Sequence, residues 1–248
     1  PARGGSKGVP FKNLREVRGI PLVTLAGKIA SNVDYIDKAI VSTDNADIAL
    51  AAQKGGLDQP FFRPKSLSGD KISDLQVLTH AVITTEELDN TCYDIIVMLQ
   101  PTSPMRTVEH VKKTLEMLVR DKLDSVWTIS ETDSKAHPLK QLTFKNGKIK
   151  YYDSKGKDII ARQQLHPVYY RNGLVYAITR NCLIQNKSIM GKKAGALLCK
   201  GYFINIDTEF DFKLLDFQVA SAQDTEPMPP YFVVLNEPII KPLNVVIG

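Results

Sequence analysis

The 248-residue chain contains 43% apolar and 24% charged residues, a composition that excludes an intrinsically disordered protein. Its net charge of +5 is modest and suits an acidic small molecule better than a nucleic acid, so we expect no nucleic-acid partner. No apolar run approaches the length of a membrane span, and the three cysteines are scattered. We therefore expect a cytoplasmic protein without a membrane partner.

Short apolar segments alternate with helical ones along the chain. Five β-branched runs predict buried strands at residues 37–43, 93–99, 125–130, 175–179 and 202–206. Five segments with helical periodicity lie at residues 21–30, 46–54, 72–88, 108–120 and 210–222. Such alternation predicts an α/β fold with a mostly parallel sheet and helices on both faces.

Two further segments have a different pattern. Asn146-Gly147, flanked by alternating residues, predicts a β-hairpin inside a small antiparallel arm at residues 131–171. From residue 224 the prolines of T-E-P-M-P-P and E-P-I-I-K-P predict a tail rather than another βα unit. The predicted organisation is a domain at residues 1–223 that includes the arm, followed by the tail at 224–248.

The opening residues, P-A-R-G-G-S-K-G-V-P-F-K-N, combine three glycines with three cations and a serine. Glycines permit positive φ and let backbone N–H groups approach a ligand, which suits a polyphosphate, although the spacing is not that of a Walker A loop. The alternative is a flexible basic segment. A loop of this kind normally follows a strand, and residues 243–247, L-N-V-V-I, have the composition of one. Either that segment fills the strand position or the order of the segments is permuted.

Polar motifs follow three of the apolar runs. They are S-T-D-N at residues 42–45, Q-P-T-S-P-M-R at 100–106 and D-T-E-F-D at 207–211. Because ligands of open α/β sheets bind beyond the carboxyl ends of the strands, these motifs predict the walls of a site. Asp44 is at least as well explained as a helix N-cap as by catalysis, and Asp211 falls where a helix would begin.

Six motifs in order carry a family resemblance: residues 2–13, 63–64, 99–106, 137–140, 162–176 and 204–211. Together they resemble the acylneuraminate cytidylyltransferases, the CMP-sialic acid synthetases, over roughly residues 1–222. The loop R-G-G-S-K-G favours this branch over the related CMP-Kdo synthetases, which usually have R-x-G-S-x-R-L-P there.

The resemblance implies a Rossmann-like nucleotidyltransferase fold and a defined reaction. CTP would react with the anomeric hydroxyl of an acidic nine-carbon keto sugar, giving a CMP-sugar and pyrophosphate. The arm would form a homodimer and complete a neighbour's sugar pocket. The alternatives are another acid sugar (legionaminic, pseudaminic, ketodeoxynonulosonic or Kdo type) or a non-catalytic nucleotide-binding homologue.

The resemblance also assigns residues to each part of the site. The triphosphate would be held by Arg3, Ser6 and Lys12, and the ribose and cytosine by Asn13, Arg63 and the backbone near Ser73. Asp207 and Asp211 would bind Mg²⁺. The sugar pocket would be lined by Gln100, Thr102, Lys140, Arg162, Asn172 and Tyr176. Catalysis by Arg3, Lys12 and Asp207 would consist of neutralising and positioning the phosphates.

Two departures from the family pattern favour the non-catalytic alternative. Asn205 stands where a second carboxylate is common, so metal affinity would be weaker. Asp74 stands where serine is usual, and a carboxylate near a triphosphate is unfavourable unless it meets a cation.

Overall fold

A computed structural model describes residues 1–6, 8–223 and 245–247. The chain divides into two compact units. The first comprises Pro1–Thr128, Asn172–Leu197 and Phe203–Gly248, and the second comprises Ile129–Arg171 and Leu198–Tyr202. No helix in the described part of the chain is long and apolar enough to cross a membrane.

A mixed six-stranded sheet forms the centre of the first unit, beside a short antiparallel pair, β1 (Glu16–Val17) and β2 (Ile20–Pro21). In spatial order its strands are β3 (Lys38–Ala39), β10 (Val245–Ile247), β4 (Ile95–Met98), β8 (Tyr169–Thr179), β5 (Ser125–Glu131) and β9 (Ala194–Leu198). β3, β10 and β4 are parallel, whereas β8 is antiparallel to β4.

The strand β10 occupies an interior position of this sheet. Val246 pairs with Lys38 of β3 on one side and with Ile96 of β4 on the other. This confirms the prediction that the apolar segment near residue 245 supplies a strand. The part of the predicted tail at residues 224–244 lies outside the described residues.

Both faces of β4 are covered, as its uninterrupted apolar sequence I-I-V-M requires. Ile96 and Met98 pack into a cluster with Leu78 and Val82 of the neighbouring helix. Side chains alternate along a strand, so Ile95 and Val97 point to the opposite face, and they are equally buried. The predicted α/β fold class is confirmed.

Five α-helices lie within the described residues: α1 (Leu22–Ser31), α2 (Ala46–Gln53), α3 (Asp74–Asp89), α4 (Val108–Arg120) and α5 (Glu209–Gln223). Each begins and ends within two residues of its predicted bounds. Side-chain caps explain three of the starting points: Asn45 caps α2, and capping boxes formed by Ser73 with Gln76 and by Thr107 with His110 open α3 and α4.

The prediction of a strand at residues 202–206 is wrong. Ile204 and Ile206 are buried, as in a strand, but the segment bonds to the loop after β4 instead of to a neighbouring strand: the Ile206 N–H donates to the Thr102 carbonyl at 2.8 Å. The sequence did not predict β9, whose residues A-G-A-L-L contain no β-branched side chain.

The second unit contains the predicted hairpin, formed by β6 (Leu142–Lys145) and β7 (Lys148–Tyr151). Asn146 and Gly147 both have positive φ (51° and 72°), as a two-residue type I′ turn requires. The pairs Leu142–Tyr151 and Phe144–Ile149 place four exposed apolar side chains on one face of the hairpin.

Candidate nucleotide site

The glycine-containing loop, residues 2–8, is anchored to the segment that follows β3. The Ala2 N–H donates to the Ser42 carbonyl (3.0 Å), and the Gly4 N–H donates to the Asp44 carboxylate (2.9 Å). From the other side, the buried Asn13 side chain donates to the Arg3 carbonyl at 3.0 Å. Hydrogen bonds from two sides therefore fix the first half of the loop, residues 2–4. Lys7 lies outside the described residues.

The loop glycines provide close packing rather than unusual backbone angles. None of the three is found at positive φ, so the loop does not use this freedom of glycine. A Cβ on Gly8 would lie 2.4 Å from the Asp207 carbonyl oxygen, whereas one on Gly5 would meet nothing within 4 Å. Gly8 thus permits the loop to lie directly against the segment that carries Asp207.

Two ion pairs hold the cationic side chains of this region. Arg3 contacts Asp70 at 2.7 Å, and Lys12 contacts Asp207 at 2.8 Å. All four side chains are at least partly exposed, so an incoming phosphate can compete with these carboxylates for the cations. The structure therefore brings the predicted residues Arg3, Lys12 and Asp207 to one edge of the sheet.

Arg63 lies beside Asp44 and is almost completely buried. Its Nη2 is 4.0 Å from the Asp44 carboxylate, and its Nε donates to the Ser68 hydroxyl at 3.2 Å. Burial lowers the pKa of Arg63, and Asp44 opposes that shift. Since Asn45 is the cap of α2, the carboxylate of Asp44 is left to orient Gly4 and Arg63.

Asp211 is engaged at the start of α5. Its Oδ2 accepts hydrogen bonds from the backbone N–H groups of Asp207 (2.9 Å) and Thr208 (2.7 Å) and from the Thr208 hydroxyl. Burial works against ionisation, but these hydrogen bonds outweigh it and lower the pKa of Asp211. The helix-start interpretation of Asp211 is confirmed, and its role as a metal ligand stays a prediction.

The oxygen donors at this edge suit a hard cation whose other ligands come mostly from water and substrate. Asp207 is 71% exposed at its side chain, and the amide of Asn205, two residues earlier, is also exposed. Mg²⁺ is typically held by one or two carboxylates together with substrate phosphates, a demand that this edge can meet. No three His, Cys, Asp or Glu side chains of the described residues form a metal cluster of their own.

Ser73 and Ser6 complete the predicted nucleotide set. The Ser73 hydroxyl accepts from the Gln76 N–H (3.3 Å) and caps α3, so this side chain already has a structural role. Ser6 is half-buried, and its N–H donates to the Gly4 carbonyl at 3.0 Å.

Polar side chains converge on Gly173 in β8. A Cβ there would lie 2.6 Å from the Ser103 hydroxyl, 2.7 Å from Gln100 Oε1 and 3.5 Å from the Asn205 amide nitrogen. The φ of +76° and this crowding both require glycine. These side chains and Gly173 form what we call the Gly173 wall, which is joined to Asp207 through Asn205 and Ile206.

The other predicted sugar residues are distributed differently. Thr102 is half-buried, and Asn172 is buried with its Oδ1 accepting from the Leu174 N–H (3.2 Å). Tyr176 lies in the hydrophobic core, edge-on to Trp127 at a centroid distance of 5.1 Å. Lys140 and Arg162 are exposed residues of the second unit.

Comparison with known proteins agrees with this geometry. A family model described as Cytidylyltransferase matches residues 1–216. The chain belongs to this cytidylyltransferase family. Among curated proteins, it is 30% identical over 221 residues to a CMP-N,N'-diacetyllegionaminic acid synthase of Campylobacter jejuni, covering 88% of this chain and 92% of that protein. It is 30% identical over 216 residues to an N-acylneuraminate cytidylyltransferase of Streptococcus agalactiae, covering 86% of this chain and 50% of that protein.

A solved structure of CMP:2-keto-3-deoxy-manno-octonic acid synthetase, complexed with CTP, has the same fold. It superposes on this cytidylyltransferase with a TM-score of 0.64 and 20% sequence identity, covering 89% of this chain and 96% of that one.

Sequence reasoning missed one buried residue of this cytidylyltransferase. Arg106 ends the motif Q-P-T-S-P-M-R, which by itself indicates no role for this side chain. Its guanidinium is 3% exposed and donates to the carbonyls of Leu174, Gln100 (2.6 Å) and Gly173 (3.3 Å). Burial lowers its pKa to about 9, so it remains cationic at neutral pH. The only available signal was an arginine within an otherwise uncharged motif.

Proposed function

We propose that this cytidylyltransferase transfers CMP from CTP to the anomeric hydroxyl of an acidic nine-carbon keto sugar and releases pyrophosphate. The observation that carries the proposal is the anchored loop, in which Gly8 packs on the Asp207 backbone while Lys12 pairs with the Asp207 carboxylate. The names of the relatives support the substrate class, since they describe enzymes of CMP-legionaminic and N-acylneuraminate synthesis.

In this proposal Arg3 of the loop and Lys12, which follows it, change partners when the nucleotide binds. Arg3 and Lys12 turn from Asp70 and Asp207 to phosphate oxygens, where they neutralise charge that develops in the transfer. The hydrogen bonds from Ala2, Gly4 and Asn13 keep the loop in place during this exchange. Positioning and charge neutralisation, rather than a covalent intermediate, are what phosphoryl chemistry needs here.

Asp207, once Lys12 binds phosphate, would be free to hold Mg²⁺, and Asp211 would hold the backbone behind it. The bound ion would supply charge neutralisation at the substrate phosphates. Asn205 supplies a neutral amide oxygen at the same edge.

The acceptor sugar is assigned to the Gly173 wall, because this wall adjoins Asp207 and presents side-chain amides. Gln100 and Asn205 are suited to hydrogen-bond a polyol chain, whereas the hydroxyl of the buried Ser103 donates to the Asn172 carbonyl. A few such contacts decide between sialic, legionaminic, pseudaminic and related acids, and relatives of 27–30% identity carry several of these names.

A homodimer through the second unit is a further part of the proposal. The hairpin exposes Leu142, Phe144, Ile149 and Tyr151 on one face, at 49–75% of their surface. An apolar face of this kind suits burial against a second copy. Light scattering should report a dimer, and Phe144→Asp should shift it to monomer. A wild-type chain that stays monomeric at micromolar concentration would overturn this part.

The test is pyrophosphate release with CTP and Mg²⁺ against N-acetylneuraminic, legionaminic, pseudaminic, ketodeoxynonulosonic and Kdo acids. We expect release with at least one nine-carbon acid, and none with ATP, GTP or UTP in place of CTP. CTP binding without release for any acid would support the non-catalytic alternative, which the uncharged Asn205 favours. Absence of CTP binding would overturn both.

A further inference from the structure

Arg106 carries a buried positive charge that contacts no carboxylate among the described residues. Its three partners are all backbone carbonyls, whereas the buried Arg63 lies near Asp44 and the half-buried Arg180 is bidentate to Glu86. Burying a charge without a counter-ion is unfavourable, so an arginine kept in this state calls for an explanation beyond packing.

The carbonyls that Arg106 binds belong to the two segments that form the Gly173 wall. Gln100 follows β4, and Gly173 and Leu174 lie in β8, so one guanidinium joins both strands at the wall's base. One nitrogen of Arg106, Nη2, donates to both the Gln100 and the Gly173 carbonyls. It therefore fixes the position of Gln100, whose side chain faces Gly173, relative to the Gly173 backbone.

We propose that Arg106 is a positioning and specificity residue for the acceptor: it sets the Gly173 wall and places an uncompensated positive charge behind it that favours an anionic sugar. This inference rests on the proposed cytidylyltransfer reaction. The guanidinium does not touch the sugar, because it is almost fully buried. It acts through the wall's geometry and through its field, which is weakly screened in the interior.

Charge and geometry can be separated by substitution. Arg106→Lys keeps the charge but loses the planar fork, and Arg106→Gln loses both. The matched control is Arg180→Gln, an arginine whose charge is already met by Glu86. The backbone N–H of Arg180 donates to the Asp94 carbonyl, just before β4. Arg180 therefore lies at the opposite end of β4 from the Gly173 wall.

The experiment measures kcat/KM for the accepted acid sugar and for its uncharged C1-carboxamide, together with the KM for CTP. We expect wild type to prefer the acid, and Arg106→Gln to reduce that preference about tenfold with the CTP KM changed less than about threefold. Arg106→Lys should lower kcat/KM for both sugars while keeping the acid preference. Arg180→Gln should change neither quantity.

An unchanged acid preference in Arg106→Gln would overturn the specificity role, and unchanged kcat/KM in both variants would overturn the positioning role. If Arg106→Gln does not fold, Arg106→Lys decides: a lost acid preference with the charge retained contradicts the inference. A wild-type enzyme that accepts acid and amide equally also overturns it. Failure of the proposed function itself is a different result, namely no pyrophosphate release by wild type with any acid.

Discussion

Replacing Asp207 with asparagine should separate its small contribution to stability from a large contribution to turnover. The carboxylate lies 2.8 Å from the Lys12 ammonium, but its side chain is 71% exposed. Exposed ion pairs contribute about 0.2–1 kcal/mol, so Asp207→Asn should lower the free energy of unfolding by no more than about 1 kcal/mol. The substitution is close to isosteric and should leave the Gly8 contact with the Asp207 backbone intact.

Turnover should respond much more strongly. If Asp207 supplies charge at the reacting phosphates, its removal should reduce kcat by about 10²–10³, or about 2.7–4 kcal/mol, and raise the Mg²⁺ concentration for half-maximal rate. Pyrophosphate release across a Mg²⁺ titration measures both quantities, and urea denaturation measures stability. Asp216→Asn, at an exposed aspartate of α5, the helix that follows Asp207, is the control. An Asp207→Asn turnover rate within about threefold of wild type at limiting Mg²⁺ would refute the reasoning.

Three further predictions concern the loop, the sheet and the pH dependence of stability. Gly8→Ala should weaken CTP binding at least about tenfold, because its Cβ would overlap a backbone carbonyl, whereas Gly5→Ala should bind within about threefold of wild type. Calorimetry with CTP decides, and equal affinities would contradict the close-packing role. Val246→Asp should lower the free energy of unfolding, measured with denaturant, by more than about 3 kcal/mol, because it buries a charge at a residue that is 2% exposed. A change below about 1 kcal/mol would place Val246 outside the core. Glu86→Gln should lower the free energy of unfolding by about 1–3 kcal/mol at pH 7. Burial opposes ionisation of Glu86, but Arg180 and a backbone N–H lower its pKa below 4.5. The stabilisation is therefore present above pH 4.5 and should vanish as pH falls through the folded-state pKa; a difference that persists at pH 2 would refute the assignment.

The elements with local signals were predictable from the sequence. Asn146-Gly147 specified a turn, and the helix at residues 108–120 matched its periodicity residue for residue. The segment at residues 202–206 has strand-like alternation of burial, but strand formation depends on a neighbour that the sequence does not reveal. Here the hydrogen-bond partner is the Thr102 carbonyl of a loop.

Within the site, residue types were predictable but their partners were not. The family resemblance implied that Lys12 and Asp207 lie at a phosphate site, and the structure adds that they form an ion pair with each other. The interpretation of Asp44 as a helix N-cap is wrong, because α2 begins one residue later and Asn45 caps it. Arg106 could not be assigned because its partners Gly173 and Leu174 are more than sixty residues away in sequence.

The position of β10 has a consequence for how the protein folds. Val245 exchanges hydrogen bonds with Asp37, which lies 208 residues earlier, and β10 separates β3 from β4. Before β10 docks, β3 and β4 each present an unpaired inner edge. Pairings of such long sequence separation form slowly, and exposed strand edges promote aggregation. The yield of refolding from denaturant should therefore fall as the protein concentration rises.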